Sequence, residues 1–450
     1  MLRNISCFCL TILAIFSTLS LSGCVGSPID ELYSLPELST SYSQLQDLVN
    51  NKINDGSEFV SPITGTYRQS IQFYDVDSDG LDEAFVFFRN SNQSLSICVY
   101  TCTDNDYVLV DSIKGEGSSI WHIDFADLTG DGNFELLVTW QISPVLRILN
   151  SYSFQDEKSE NLITRNCTDF QIADMTEDGI SDIVLFHLDP SRGSGGVAEL
   201  ICFSQLDSPD IYTTNLSKGL SSVDRIKTGE LTDGGFAMFI EGLYQSSKPD
   251  IEERFITDIV TFTQDEFKNI SLDPQTGISK TVRKASDNAY IGDFNNDKIM
   301  EVPETISLYN QSGQYFALDW YNFSSTGDKI FIMSTYHSGE GWYLTLPSHW
   351  RENLTVRRDE TMSGERGVIL SFKGPEPDEI NDFLVIYTLT GDNRHDRAQL
   401  PERFMLWDDG DKIFVGEILM DKDTWDGALS EEEIISRFKM IRPEWITGAL

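Results

Sequence analysis

Asp75-Val-Asp77-Ser-Asp79-Gly-Leu81-Asp-Glu83 is a nine-residue acidic loop that returns three more times along the chain. The copies are Asp127-Leu-Thr129-Gly-Asp131-Gly-Asn133-Phe-Glu135, Asp174-Met-Thr176-Glu-Asp178-Gly-Ile180-Ser-Asp182 and Asp293-Phe-Asn295-Asn-Asp297-Lys-Ile299-Met-Glu301. Each carries oxygen side chains at positions 1, 3 and 5 and a carboxylate at position 9. A short turn with that spacing can wrap oxygens around a hard cation such as calcium.

The first positions fall at 75, 127, 174 and 293, so the intervals are 52, 47 and 119 residues. The last interval is about double the others and predicts a fifth unit near residue 230. Gly229-Glu230-Leu-Thr232-Asp233-Gly234-Gly235-Phe236 reads as that unit, one residue short and without the position 9 acid. It keeps the turn and loses the ion. Strand-like runs flank every loop, as in Trp121-His-Ile-Asp-Phe before and Leu136-Leu-Val-Thr-Trp140 after. Two more apolar runs follow the first loop, Leu95–Tyr100 and Tyr107–Ile113. Short apolar runs bounded by Gly, Asn, Asp and Ser predict strands. Four strands per unit of roughly fifty residues is the size of a propeller blade.

On these residues the stretch 65–340 resembles the FG-GAP and VCBS repeat families, including the calcium-loop blades of integrin α-subunit propellers. The carrying motif is Asp-x-[Asp/Asn/Thr]-x-Asp-Gly-x-x-[Asp/Glu] followed by a hydrophobic strand, as in Asp75 to Phe88. The Phe-Gly-Gly-Ala-Pro signature of the first family is absent. The resemblance implies a mainly β fold: a β-propeller of five recognisable blades, with room for six or seven. It also implies up to four Ca²⁺ ions held by the side chains at positions 1, 3, 5 and 9 and by the position 7 carbonyls of Leu81, Asn133, Ile180 and Ile299. Lys298 replaces the glycine of the other loops and requires a left-handed backbone costing about 1 kcal/mol.

Other readings of the loops compete. An EF-hand needs a Glu at position 12 and two flanking helices; a dockerin-like module also needs helices. Strand flanks and an acid at position 9 exclude both. Metal-free Asx turns are the plain alternative, opposed by the mutual repulsion of clustered carboxylates.

The N-terminus, Met1-Leu-Arg3 followed by an apolar run to Leu21 and then Ser22-Gly23-Cys24, resembles a bacterial lipoprotein signal. It implies cleavage before Cys24, lipidation of Cys24 and anchorage on the extracytoplasmic face of the bacterial cell membrane. The organisation expected is a signal peptide over 1–23, a tether over 24–40, a helix and linker over 41–64, the propeller over 65–340 and an α+β domain over 341–450. The first helix is predicted over 41–54, with Leu45, Leu48, Val49 and Ile53 on one face. A last helix is predicted from Ser430, with Glu433 completing a capping box and Ile434, Ile435, Phe438 and Ile441 on one face.

The formal net charge of −39 argues against nucleic acid, whose backbone needs basic stripes. Of seven cysteines, Cys98, Cys102, Cys167 and Cys202 lie beyond Cys24, and Cys98 and Cys102 are about 13 Å apart on an extended strand, too far to bridge. Buried free thiols are therefore expected. No catalytic residue stands out. The five histidines form no paired metal motif, and no helix follows Ser191–Gly196 to make a phosphate cradle. The expectation is non-catalytic binding of an extracellular protein or glycan. A polysaccharide-acting enzyme and a purely structural envelope component are the alternatives.

Overall fold

A computed structural model describes residues 40–103, 106–155, 158–188, 195–203, 208–246, 253–284, 289–308, 315–351, 353–374, 376 and 379–441. The signal segment, Cys24 and the tether lie outside the described residues. No helix among the described residues is long and apolar enough to cross a membrane.

The described chain is mainly β, arranged in six antiparallel sheets. The first holds β1 (Glu58–Phe59), β2 (Ile71–Tyr74), β3 (Glu83–Arg89), β4 (Leu95–Thr103) and β5 (Asp106–Lys114). The second runs β6 (Ser119–Ala126), β7 (Glu135–Gln141), β8 (Arg147–Gln155) and β9 (Lys158–Cys167). The third runs β10 (Asp169–Ala173), β11 (Asp182–His187), β12 (Val197–Cys202) and β13 (Asp210–Asn215). The fourth runs β14 (Arg225–Glu230), β15 (Phe236–Leu243), β16 (Arg254–Thr263) and β17 (Glu266–Asn269), with β18 (Arg283–Lys284) on β16. The fifth runs β19 (Val302–Ser307), β20 (Phe316–Phe323), β21 (Lys329–His337) and β22 (Trp342–Leu346). The sixth is ordered β23 (Leu354–Met362), β24 (Glu365–Lys373), β25 (Ile380–Leu389), β27 (Ile413–Ile418), β26 (Arg403–Asp408). A final strand, β28 (Phe438–Met440), returns to pair with β22.

The strands that follow the acidic loops in the first three sheets, β3, β7 and β11, are buried along almost their whole length, as is β15 in the fourth. They read as unbroken apolar runs because both faces are covered. In β11, Ile183 and Leu185 pack with Leu137 and Leu149 of the second sheet. Their neighbours Val184 and Phe186 pack with Met238 and Ile240 of the fourth. In β15, Ala237 and Phe239 turn the other way, toward Val302 and Phe323 of the fifth sheet. Alternate side chains thus serve two cores, the period-2 geometry of a strand. The strands β5, β9 and β13 are largely exposed, and β9 and β13 are largely polar, which suits a sheet edge.

Two compact units emerge. The smaller holds residues 40–61, 69–75 and 80–115, and the larger holds 62–68, 76–79 and 116–441 of the described chain. In the smaller, α1 (Thr40–Asn54) buries Leu45 and Val49 against Val86, Phe88, Tyr100 and Tyr107. Each fully buried apolar side chain of this kind is worth about 1.5–3 kcal/mol.

Two expectations for the C-terminal part need revision. A boundary at 340/341 would pass between strands that pair with each other, because β21 is laddered to β22 from Ser334↔Leu346 to His337↔Tyr343. Tyr336, Trp342 and Leu344 also share a core with Val356, Leu370, Ile386 and Phe414 of the sixth sheet. The last helix is shorter than expected. It spans Glu431–Arg437 (α3, after the short α2, Arg394–Ala398), with the Ser430/Glu433 capping box formed. Phe438 leaves helical geometry and pairs with Leu344, burying its ring against Trp342. The added ladder outweighs one more helical turn.

Candidate metal centre

The four loops share one backbone conformation. Positions 4 and 6 both have positive φ: Ser78 58° and Gly80 90°, Gly130 72° and Gly132 88°, Glu177 57° and Gly179 89°, Asn296 64° and Lys298 72°. Two left-handed residues two apart coil the chain so that successive N–H groups point inward. The position 1 carboxylate accepts from the position 6 N–H in every copy: Gly80 to Asp75 at 3.0 Å, Gly132 to Asp127 at 3.1 Å, Gly179 to Asp174 at 2.9 Å and Lys298 to Asp293 at 3.0 Å. In the last three, the position 5 carboxylate accepts from the position 7 N–H, at 2.9, 2.9 and 2.8 Å.

Glu83, Glu135 and Asp182 open the following strand and Glu301 immediately precedes β19; the four are buried, at 4%, 2%, 2% and 0% exposed. Three of them accept from the position 2 N–H: Leu128 to Glu135 at 2.8 Å, Met175 to Asp182 at 2.8 Å and Phe294 to Glu301 at 2.7 Å. Burial pushes the Glu135 carboxyl up to about 7 and that of Glu301 to about 8, and raises that of Asp182. Neighbouring Asp127 and Asp131, or Asp293 and Asp297, add to the rise in the two glutamates. A buried carboxylate facing other carboxylates asks for a cation.

The residues present fit such a cation. In the first loop, oxygens of Asp75, Asp77 and Glu83 all lie within 4.8 Å of one another. It is the one such acidic group among the described residues because the other loops place Thr129, Thr176 and Asn295 at position 3. In the second loop, the Thr129 hydroxyl is buried with no hydrogen-bond partner. In the third and fourth loops, the position 3 group donates to the position 9 acid: Thr176 Oγ1 to Asp182 at 3.1 Å and Asn295 Nδ2 to Glu301 at 3.2 Å. These donors occupy the carboxylate that a cation would otherwise meet.

Hydrogen bonds also run from loop to loop within the larger unit. Phe134 N donates to Val76 O at 2.7 Å, and Ser181 N to Asp127 O at 3.1 Å. Met300 N donates to Glu230 O at 3.2 Å. Position 8 of one loop thus reaches the opening of the loop before it. The fifth, degenerate turn lies between β14 and β15 as its sequence requires. In place of a ring of acids it has Asp233, which accepts from Ser325 N at 3.0 Å. A hydrogen bond donated by the Ser325 hydroxyl, with the Ser325 N–H bond beside it, pulls the Asp233 carboxyl below the usual range.

The remaining candidates are dispersed. His122 on β6 lies 4.0 Å from Asp124, and His187 on β11 lies 3.3 Å from Glu199. His337 is held well below the usual imidazole range, at about 3, by burial among Phe294, Trp320 and Tyr343. Trp140, Trp320 and Trp342 are core residues. Cys98, Cys167 and Cys202 are free and buried, and Cys102 is free and half-buried. Ser191–Ser194 lie outside the described residues. One feature was not singled out from sequence: a cavity of about 470 Å³ beside the sixth sheet, lined in part by Trp350, Phe372, Phe383 and Trp425. Its aromatics are scattered over 76 positions, so no local pattern announces it.

No protein-family model matches the chain. No curated protein matches it. Among solved structures, similarity extends to the exotype rhamnogalacturonan lyase YesX, at 12% identity and a TM-score of 0.26 over 69% of this chain. The match spans 60% of the lyase chain. It also extends to MPT-4, a mannose phosphorylase from Leishmania mexicana, at 13% identity and a TM-score of 0.23, over 66% of this chain and 94% of that one.

Proposed function

We propose that this is a calcium-stabilised lipoprotein of the bacterial cell surface that binds a protein or glycan without catalysis. In this reading the repeated sheets are blades of a β-propeller, five of them recognisable from the sequence, and Ca²⁺ fills the four acidic loops. Asp75, Asp77, Asp79 and Glu83 of the first loop, with their counterparts in the other three, would hold the ions with the position 7 carbonyls. The supporting observation is the shared loop conformation, with paired positive-φ residues and a buried position 9 acid, recurring immediately before β3, β7, β11 and β19. Calcium would supply charge compensation for the buried acids and pin each turn, so that binding energy adds to folding energy. Lipidated Cys24 would tether the fold to the membrane, and a net charge of −39 suits a solvated envelope protein.

Melting the chain in EDTA and again in millimolar calcium tests the metal. A higher melting temperature with calcium is expected, and identical curves would overturn it. Incubation with envelope polysaccharides while assaying released reducing ends tests the absence of catalysis. Release of reducing ends would replace the binder with a glycan-cleaving enzyme.

A further inference from the structure

We infer that the cavity beside the sixth sheet is a binding site for an uncharged pyranose glycan. This deepens the binding function proposed above and rests on it. The cavity, of about 470 Å³, falls in the range of small-ligand sites. Its apolar wall is a set of fixed rings. Trp425 stacks on Phe372 with centroids 4.2 Å apart and planes 12° apart, and lies nearly parallel to Trp350 at 6.3 Å and 19°. Phe383 backs both tryptophans, 4.6 Å from Trp350 and 4.9 Å from Trp425. Trp350 and Phe383 are buried, whereas Phe372 and Trp425 keep half-exposed surface at the cavity. Flat aromatic faces suit the apolar C–H faces of a pyranose ring.

The wall is built in advance of any ligand. Trp350 Nε1 donates to Gly427 O at 2.8 Å, and His349 Nε2 sits 3.0 Å from the same oxygen. Trp425 rides on a turn closed by its own N–H to Asp421 O at 2.9 Å, and Asp421 Oδ1 also accepts from Thr424 N and Oγ1. A β-carbon at Gly427 would lie 2.4 Å from Trp425 Cζ2, so the bare glycine is what lets the indole fold over the turn. Rigid aromatics lose little entropy on binding.

Polar groups choose among ligands. Asn353, Lys373, Asp426 and His349 complete the lining and offer both donors and acceptors. A neutral polyol can use both kinds. Asp426 and Lys373 line the same opening, so a ligand of either charge meets a like charge there and a neutral polyol does not.

The test uses the full chain with calcium and soluble hexasaccharides of β-1,4-linked glucose, N-acetylglucosamine or mannose, followed by tryptophan fluorescence and calorimetry. At least one is expected to bind. Trp425→Ala should weaken that binding roughly ten-fold or more. Because Trp425 also packs on the core, Asp426→Ala provides the exposed control: weaker binding with an unchanged melting temperature is expected. Binding that neither substitution alters would overturn the site while leaving a glycan binder. No binding by any probe, with the calcium-dependent melting intact, would also overturn it and leave a protein as the partner.

Discussion

Lys298 shows most plainly what the loop geometry demands of single residues. It adopts φ 72° where the other three loops place a glycine at 88–90°. The sequence alone exposes this mismatch, and the strain of about 1 kcal/mol expected of a non-glycine is carried by the fourth loop. Lys298→Gly should therefore raise metal-free stability by about that amount in chemical denaturation. The acids at position 9 stand out from spacing, but their depth does not, because burial arises from sheets that pack far away in sequence. That depth sets a pH dependence. The Glu301 carboxyl ionises near 4.5 when unfolded and near 8 in the metal-free fold. Below about 4.5 both states are protonated and no penalty exists. As pH rises through this window the unfolded chain ionises first, so metal-free stability is lost progressively up to about 8. In EDTA, Glu301→Gln should thus gain stability over the parent between pH 5 and pH 8. Thermal melts that show the opposite trend would reject a buried, cation-seeking acid.

Elements declare themselves where periodicity is local and fail where partners are distant. The strands flanking the first three loops, α1 and the capping box of α3 all follow from patterns a few residues long. β26 was missed: Arg403-Phe-Met-Leu-Trp-Asp408 is short, and Met405 and Trp407 face solvent, so its assignment depends on pairing with β27. The switch from α3 to β28 is of the same kind, since only contact with β22 makes Phe438 extended. The degenerate unit at Gly229–Phe236 keeps its turn, between β14 and β15, as its sequence implies, but its replacement tie could not be read. Asp233 reaches Ser325, 92 positions away, and Thr232 N donates to Phe323 O at 3.0 Å beside it. Asp233→Ala should cost under about 1 kcal/mol, because the pair is exposed. It should leave the number of calcium ions unchanged by titration. A lost ion would mean that the fifth turn is itself a metal site.

At the scale of the whole molecule, the repeat in the sequence announced a series of sheets but not where the series ends. Its acidic signature stops at Glu301, whereas the packing continues from the fifth sheet into the sixth through Tyr336, Trp342, Leu370 and Phe414. A chain ending at residue 340 would lose β22 and β28 and strand that core face in water. Such a truncation should unfold without a sharp transition or aggregate, where division at a true domain boundary would leave a cooperative fold. The account as a whole rests on cations neutralising buried acids in repeated turns. Calorimetric titration of the EDTA-stripped, dialysed chain with CaCl₂ at neutral pH tests it most directly. Four bound ions per chain, with protons released as Glu135 and Glu301 ionise, is the predicted result. A featureless titration up to millimolar calcium would contradict it.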